Sequence, residues 1–559
     1  MSTTKLILDC VYDHEAQHPD QIYLTQPIGA GATVDYTWRQ VLDQSRRMAA
    51  HLKAQGLEPG ARIALLSKNC AHFFMAELAI WMAGGTTLAI FPTETAQTVR
   101  FQLEHSAASL LFVGKLDGWE QQASGVPDGL ACIAFPLAPK TSFDSWDAIV
   151  ERTAPLSGRP QRAPADLAML CYTSGSTGQP KGVTHSFERV THASLVLSQY
   201  VTTTVGQGTP LRTLSYLPLA HIFERAWVEC TSFIGGRTHV YFAESLDTFL
   251  QDLNRARPTT FISVPRLWLK FQQGVFSKMP SSKLDRLLGI PILGRMVGRK
   301  VLKGLGLDKV VIAGSGSAPI PAELITWYRR LGLNLMEGYA MSEDFACSHT
   351  STSRFNAPGC VGVPLPGVEV RISEEGEILI KSPGQFVGYY QRPDLDALSF
   401  TPDGFFRTGD MGQRNDDGLL RLTGRVKELF KTSKGKYVAP APIENRINAH
   451  PLVEMSLISG VGQPAAYAMV VLAEDLRAQQ GDAAVRAKVE SELSQLLIDV
   501  NKDLADYEKL RMIVVSTQPW TIENGCLTPT MKIRRNRIES TVDARVADWY
   551  ANNSPVLWA

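Results

Sequence analysis

Short β-branched runs alternate with longer helical patterns along the first part of the chain. "ARIALLS" precedes "AHFFMAELAIWMAGG", and "KVVIAGS" precedes "PAELITWYRRLG"; between them stand "SLLFV" at 109–113, "THVYF" at 238–242 and "TTFISV" at 259–264. Strands alternating with helices predict a layered α/β core with mostly parallel pairing. After about residue 360 the texture changes to glycine-punctuated strands, "GVEVRISEEGEILIKSPG" and "DGFFRTGDMGQRNDDGLLRLTGR", which predict β-hairpins turning at "EEG" and "DDG". From Glu444 onward come helical segments, including "DAAVRAKVESELSQLLIDVNKDLADYEKL", and a late strand, "RMIVVS". The last part therefore reads as a small separate domain beginning just after "TGRVKE".

Two apolar regions bear on membranes. "FFMAELAIWMAGGTTLAIF", Phe73 to Phe91, approaches spanning length but contains Glu77 and a Gly84-Gly85 break, so it predicts a buried helix followed by a buried strand. In Ser281 to Leu307, Lys283, Arg286, Arg295, Arg299, Lys300 and Lys303 alternate with leucines and isoleucines. Gly289, Pro291 and Gly294 interrupt any long amphipathic face, which favours a solvated helix and loop over contact with an anionic membrane surface.

At 559 residues the chain is long enough for two or more domains. Its 56 basic and 55 acidic residues give no electrostatic case for a nucleic-acid partner, so any polyanion must be small and locally held. Eight cysteines without a CxxC pair or metal spacing suit a reduced, cytoplasmic setting, and the N-terminus lacks the pattern of an export signal.

The chemistry begins at "CYTSGSTGQPKGV", Cys171 to Val183. Thr173, Ser174, Gly175, Ser176, Thr177 and Gly178 interleave hydroxyls with glycines, so backbone N–H groups can approach an anion while hydroxyls donate to it; Lys181 adds a cation. It is not a Walker A loop. Measured from Gly175, Pro180 stands where the second glycine belongs and Gly182 where Ser or Thr belongs. The apolar "LAMLCY" before it and the helix-like "GVTHSFERVTHASLVLS" after it pin the loop between regular elements.

"YTSGSTGQPKGV" resembles the signature loop of the adenylate-forming superfamily, and further motifs follow in that superfamily's order. "SYLPLAHIFER" (215–225) and "SVPRLW" (263–268) resemble the long-chain fatty acyl-CoA synthetase branch, and "AGSGSAPIP" (313–321) resembles the adenine-side loop. "MEGYAMSE" (336–343) resembles the loop carrying a magnesium glutamate, and "FRTGDMG" the ribose-binding segment. "LTGRVKELFKTSKGKYVAPAPIE" and "TIENGCLTPTMKIRRNRI" resemble the hinge and the closing motif with its lysine.

The resemblance implies a large N-terminal adenylation domain, residues 1–426, of layered α/β subdomains with a β-rich subdomain. A small mobile α+β domain, residues 427–559, follows the hinge Lys427. It implies an ATP-dependent acyl-CoA synthetase that uses Mg²⁺ and takes CoA as a substrate, activating a fatty acid to acyl-AMP with release of pyrophosphate. Competing expectations are a ligase that loads an acyl carrier protein, and a non-catalytic nucleotide- or acyl-binding protein. Peripheral membrane contact stays open.

By the same resemblance Lys532 is the lysine that neutralises charge as the adenylate forms. Glu343, with Thr177 as second contact, holds Mg²⁺. Asp410 takes ribose hydroxyls, Arg425 takes ribose or phosphate, and His221 positions the substrate carboxylate without proton transfer. ATP is expected against Thr173 to Gly178, Lys181, Ser315, Gly316, Ser317 and the run Glu337, Gly338, Tyr339, Ala340, Met341, Ser342. Lys431, Gly435 and Lys436 belong to the face turned inward for thioester formation. Two departures stand out: Ala340 replaces the usual glycine, adding a methyl near the acyl site, and Cys526 replaces an acidic residue in the closing motif.

Overall fold

The computed structural model describes residues 5–173, 180–528 and 531–559. The strand-helix alternation builds an eight-stranded sheet in the order 388–389, 181–186, 167–173, 86–90, 62–66, 110–113, 131–134, 144–145. Its members from 167–173 to 144–145 run parallel, while 181–186 and 388–389 are antiparallel to their neighbours. The apolar stretch at 73–91 becomes a helix, Ala71–Ala83, and a fully buried strand, Thr86–Ile90. Gly84, at φ 95°, turns the chain between them, a conformation open to glycine at no steric cost. The helix is buried on every side because it packs within the main core.

Two further sheets are built mainly of parallel strands. In one, strands 260–263, 312–315 and 335–339 are parallel and continue into antiparallel 349–350 and 363–364. In the other, 211–215, 238–242 and 22–29 are parallel, with 32–37 antiparallel at the edge. The glycine-punctuated region forms an antiparallel sheet ordered 369–372, 377–381, 406–414, 420–425, whose outer hairpins turn at Glu374–Gly376 and Asp416–Gly418 as the sequence predicts.

The C-terminal domain has its own sheet, 453–459, 466–472, 510–515 and 556–558. Period-two alternation splits its side chains between two cores. Ile458, Val470 and Ile513 face helices Pro440–Asn448 and Ala483–Lys502, while Leu457, Met469 and Val514 face helix Arg535–Ala551. Asp482 starts the long helix by accepting from the backbone N–H of Ala484 and Val485 at 2.7 and 3.1 Å. Sequence pattern gives no warning of the last strand, Val556–Trp558, which is too short to carry a period.

The 281–307 region is two helices, Ser281–Leu288 and Leu293–Gly304, in place of a helix and a loop. No helix among the described residues is long and apolar enough to cross a membrane.

Candidate active site

Loops at the carboxyl ends of parallel strands are where α/β sheets place their ligands, and four such ends bear the expected residues. Strand 167–173 ends at Thr173, paired in register with Lys181, so these two residues anchor the hydroxyl loop. Ser174, Gly175, Ser176, Thr177 and Gly178 lie outside the described residues. Strand 211–215 leads to His221, strand 312–315 ends at Ser315, and strand 335–339 ends at Tyr339.

Asp410 and Arg425 face each other across the 406–414/420–425 hairpin, and the Arg425 Nε donates to Asp410 Oδ1 at 2.8 Å. The Tyr339 hydroxyl donates to Asp410 Oδ2 at 2.7 Å. Tyr339, 71 positions before Asp410, and Arg425 thus share one carboxylate. Each of its oxygens retains a lone pair for a further donor such as a sugar hydroxyl.

Glu343 sits in the single turn Ser342–Asp344. The buried Asp344 carboxylate accepts from Met341 N–H at 3.0 Å, and the Ser342 carbonyl lies 2.8 Å from His185 Nε2, so the turn is fixed from within. The Tyr389 hydroxyl donates to Glu343 Oε1 at 2.8 Å, and no hydrogen bond occupies Oε2 among the described residues. A half-buried carboxylate with one oxygen oriented and the other open fits a hard cation that takes oxygen ligands and retains water. Among the described residues no cluster of three or more His, Cys, Asp or Glu could form a cage, so such an ion would rest on Glu343 and ligand oxygens.

Lys181 Nζ lies 5.1 Å from the centroid of the Tyr389 ring. Burial and then the Lys427 charge lower its pKa, and Glu343 opposes them. Lys532 is exposed, yet protein crowds it closely enough that loss of water, followed by Arg425, lowers its pKa. Asp410, Glu343 and Glu428 pull the other way. Lys181, Lys427, Arg425 and Lys532 therefore lie within electrostatic reach of one another and of Glu343, Asp410 and Glu428, a grouping of cations suited to a polyphosphate. The Lys532 turn is closed by Thr528, whose Oγ1 accepts from Lys532 N–H at 3.1 Å and whose N–H donates to the Lys532 carbonyl at 2.8 Å.

The His221 Nδ1 accepts from Phe223 N–H at 3.2 Å, capping the short helix that follows and leaving the proton on Nε2. Burial, with Lys532 nearby, pushes its pKa down to about 3, so it is neutral at physiological pH. Behind it, Glu224 Oε1 accepts from the Ser215 hydroxyl and Tyr216 N–H at 2.7 and 3.1 Å, and Asn69 Nδ2 donates to the Leu217 carbonyl at 2.7 Å. These two buried side chains hold the 216–221 loop. Burial raises the Glu224 carboxyl to about 8. Next to it Arg225, fully buried, pairs with Glu77 and lies 3.0 Å from Glu229.

In the adenine-side loop Gly316 abuts Phe223: a Cβ there would come 3.2 Å from the ring. Ser315 is buried, and Ser317 adopts φ 67°. Glu337 accepts from Ile320 N–H at 3.3 Å and is raised to about 8 by burial, so its side chain braces this loop. Gly338 pairs with Thr350, where a Cβ would stand 3.3 Å from the His349 carbonyl. Ala340 packs against the main core.

Lys431 and Lys436 lie on a small hairpin of the C-terminal domain, 430–431 with 437–438, turned at Gly435 with φ 75°. Lys431 Nζ sits 5.6 Å from the Tyr437 ring centroid, and no hydrogen bond or ion pair joins it to Glu343, Asp410 or His221 among the described residues. The site thus contains most of the expected residues but not this group. Sequence reasoning missed Tyr389, Glu224 and Asn69; the aromatic doublet in "VGYYQRP" is the one signal that could have drawn attention to Tyr389.

A model of the AMP-binding enzyme family matches residues 11–390. The chain belongs to this family. The family's C-terminal domain matches residues 428–554. Among curated AMP-binding relatives, the long-chain-fatty-acid–CoA ligase FadD15 of Mycobacterium bovis is 29% identical over 571 residues, covering 94% of each chain. Long-chain-fatty-acid–CoA ligase 1 of Homo sapiens is 27% identical, covering 92% of this chain and 83% of its own. The carboxylic acid reductase of Mycobacterium tuberculosis is 28% identical over 92% of this chain but 46% of its own. Among solved structures, the adenylation domain of the Mycobacterium chelonae carboxylate reductase superposes with TM-score 0.80 at 23% identity, covering 99% of this chain and 92% of its own. The class of reaction is that of an adenylate-forming carboxylate ligase.

Proposed function

We propose that this AMP-binding enzyme is an ATP-dependent fatty acyl-CoA synthetase acting on long-chain acids. The observation that carries the reading is the Asp410 carboxylate, held by Arg425 and Tyr339, with Lys532 of the small domain within its electrostatic reach. Relatives named as long-chain-fatty-acid–CoA ligases, matched over nearly the whole chain, support the substrate class.

In the first half-reaction a substrate carboxylate oxygen attacks the α-phosphorus of ATP, and the bond to the β-phosphate oxygen breaks to release pyrophosphate. Asp410 and Arg425 hold the ribose side, Ser315 to Ser317 and the 337–342 run border the base, and neutral His221 orients the attacking carboxylate without taking a proton. The loop from Thr173 to Gly178 and Lys181 steady the leaving phosphates, while Lys532 offsets charge on the α-phosphate and carboxylate. Mg²⁺, held by Glu343 with Thr177, would neutralise phosphate charge. In the second half-reaction the small domain turns about Lys427, withdraws Lys532 and brings Lys431, Gly435 and Lys436 inward. The thiol sulfur of CoA then attacks the acyl carbon, the bond to the phosphate oxygen breaks, and AMP leaves as the thiol proton passes to solvent.

The test incubates the full chain with ATP, Mg²⁺ and acids from butyric to icosanoic, with and without CoA. Acid-dependent ATP–pyrophosphate exchange and acyl-CoA formation that peaks with long-chain acids are expected. Exchange without acyl-CoA, with label passing to an added acyl carrier protein, overturns the acceptor, and a peak at short acids overturns the substrate class.

A further inference from the structure

The 281–304 helical pair leaves a tip that none of the described residues covers. Between its helices Ile290 is 44% and Ile292 77% exposed, and in the first turn of the second helix Leu293 is 39% and Met296 65% exposed. These apolar side chains fall within seven residues in a chain whose large hydrophobics are mostly buried. Ile292 also adopts φ 69°, a region a β-branched residue seldom enters, so the turn presents this side chain outward at a conformational cost.

The orientation of the second helix is fixed by close packing. Gly294, Gly298 and Leu302 are buried along one face. A Cβ at Gly294 would stand 2.4 Å from the Leu288 carbonyl oxygen, and one at Gly298 2.5 Å from that of Leu331. Helical periodicity then places Leu293, Met296, Lys300 and Lys303 on the opposite, outward face with Arg299 beside them. Apolar residues occupy its leading turn and cations the turns behind.

Charge on the segment is one-sided. From Ser281 to Lys303 there are six cations and one acid, although the whole chain balances at +1. That acid, Asp285, is paired with Arg330 at 2.7 Å. Among the described residues none of Lys283, Arg286, Arg295, Arg299, Lys300 and Lys303 is in an ion pair, whereas Arg266, Arg330, Arg446, Arg477 and Arg535 elsewhere in the chain are. An apolar tip ringed by free cations matches an anionic bilayer surface, with the tip entering the acyl boundary and the cations meeting headgroup phosphates.

We propose that the 281–304 helical pair docks the protein peripherally on an anionic membrane, led by Ile292 and Met296. The two helices, at eight and twelve residues, lie on the membrane and do not span it. The proposal does not depend on which acid or thiol the enzyme uses.

The experiment is co-flotation of the full chain with vesicles of phosphatidylcholine alone or with one third phosphatidylglycerol. The protein should float with the anionic vesicles, detach in high salt, and float weakly with neutral ones. Ile292→Gly with Met296→Gln should lower partitioning by about tenfold or more, and the left-handed backbone at 292 suits glycine, so the fold is not at risk. Lys300→Gln with Lys303→Gln, on the outward helix face, should lower it by about tenfold to thirtyfold. Both pairs should leave the unfolding midpoint in place. Equal flotation with neutral vesicles, or variants that float like the unaltered chain, would overturn the proposal. So would a chain that does not float but self-associates through the tip, detected as an oligomer that Ile292→Gly with Met296→Gln makes monomeric.

Discussion

Two lysines of the small domain occupy opposite situations. Lys532, in the turn closed by Thr528, is drawn into the electrostatic field of Asp410 and Glu343 on the large domain. Lys431, on the hairpin turned at Gly435, meets the Tyr437 ring of its own domain. The same residue type on the same domain thus carries two different neighbourhoods, because the turn and the hairpin belong to different faces of one sheet-and-helix unit. The arrangement is that of the adenylate-forming half of the proposed cycle: one face engaged, the other waiting. A rotating domain can then serve two chemistries with one cleft.

Breaking the engaged face should have the largest effect. Lys532→Ala is expected to slow ATP–pyrophosphate exchange by about 10²–10³-fold, the size typical of removing one group aimed at developing charge. Rapid-quench measurement of acyl-AMP checks it, and a loss confined to KM would assign Lys532 to binding alone.

A smaller effect is expected on the large-domain side. Tyr389→Phe removes the 2.8 Å hydrogen bond to Glu343 Oε1 and leaves that carboxylate free to turn. Outer-shell partners of this kind are worth about 10–100-fold in metal affinity. Titrating Mg²⁺ at saturating ATP should show the half-saturating concentration rise with kcat nearly retained. An unchanged Mg²⁺ dependence would detach Glu343 from the ion.

The smallest effect concerns stability. Burial holds the Glu337 carboxyl at about 8, against about 4.3 in an unfolded chain. The folded state thus keeps a proton that the unfolded state releases. This contribution is fully present below about pH 4 and is lost as pH rises toward 8. Glu337→Gln, which mimics the protonated carboxyl, should flatten the fall of the large domain's unfolding temperature between pH 5 and pH 8 by on the order of a few °C. Glu224, raised by burial in the same direction, keeps the slope from vanishing. Equal slopes in the two proteins would mean that Glu337 folds ionised.

What was legible in the sequence follows a physical line. Buried parallel strands such as 86–90 and 110–113 are apolar throughout, and the hairpins at 374–376 and 416–418 need glycine, so both are written locally. Lys532, Glu343 and Asp410 could be singled out because their motifs are contiguous. Tyr389 could not, since the carboxylate that accepts from its hydroxyl is 46 residues away. Asn69 and Glu224, separated by 155 residues, gain their role from the packing of the helix at 71–83 against the 216–221 loop. At 281–304 the glycines by themselves point to an interrupted amphipathic face. In the structure Gly294 and Gly298 are what allow that helix to pack closely and turn its cations outward.

The central claim is that the two faces of the small domain serve separate half-reactions. Preformed acyl-adenylate and CoA supplied to Lys532→Ala and Lys431→Ala, with thioester read in a single turnover, test it directly. The account predicts that Lys532→Ala makes thioester at close to the unaltered rate while Lys431→Ala, normal in pyrophosphate exchange, is slowed. Equal loss of thioester in both variants would contradict it.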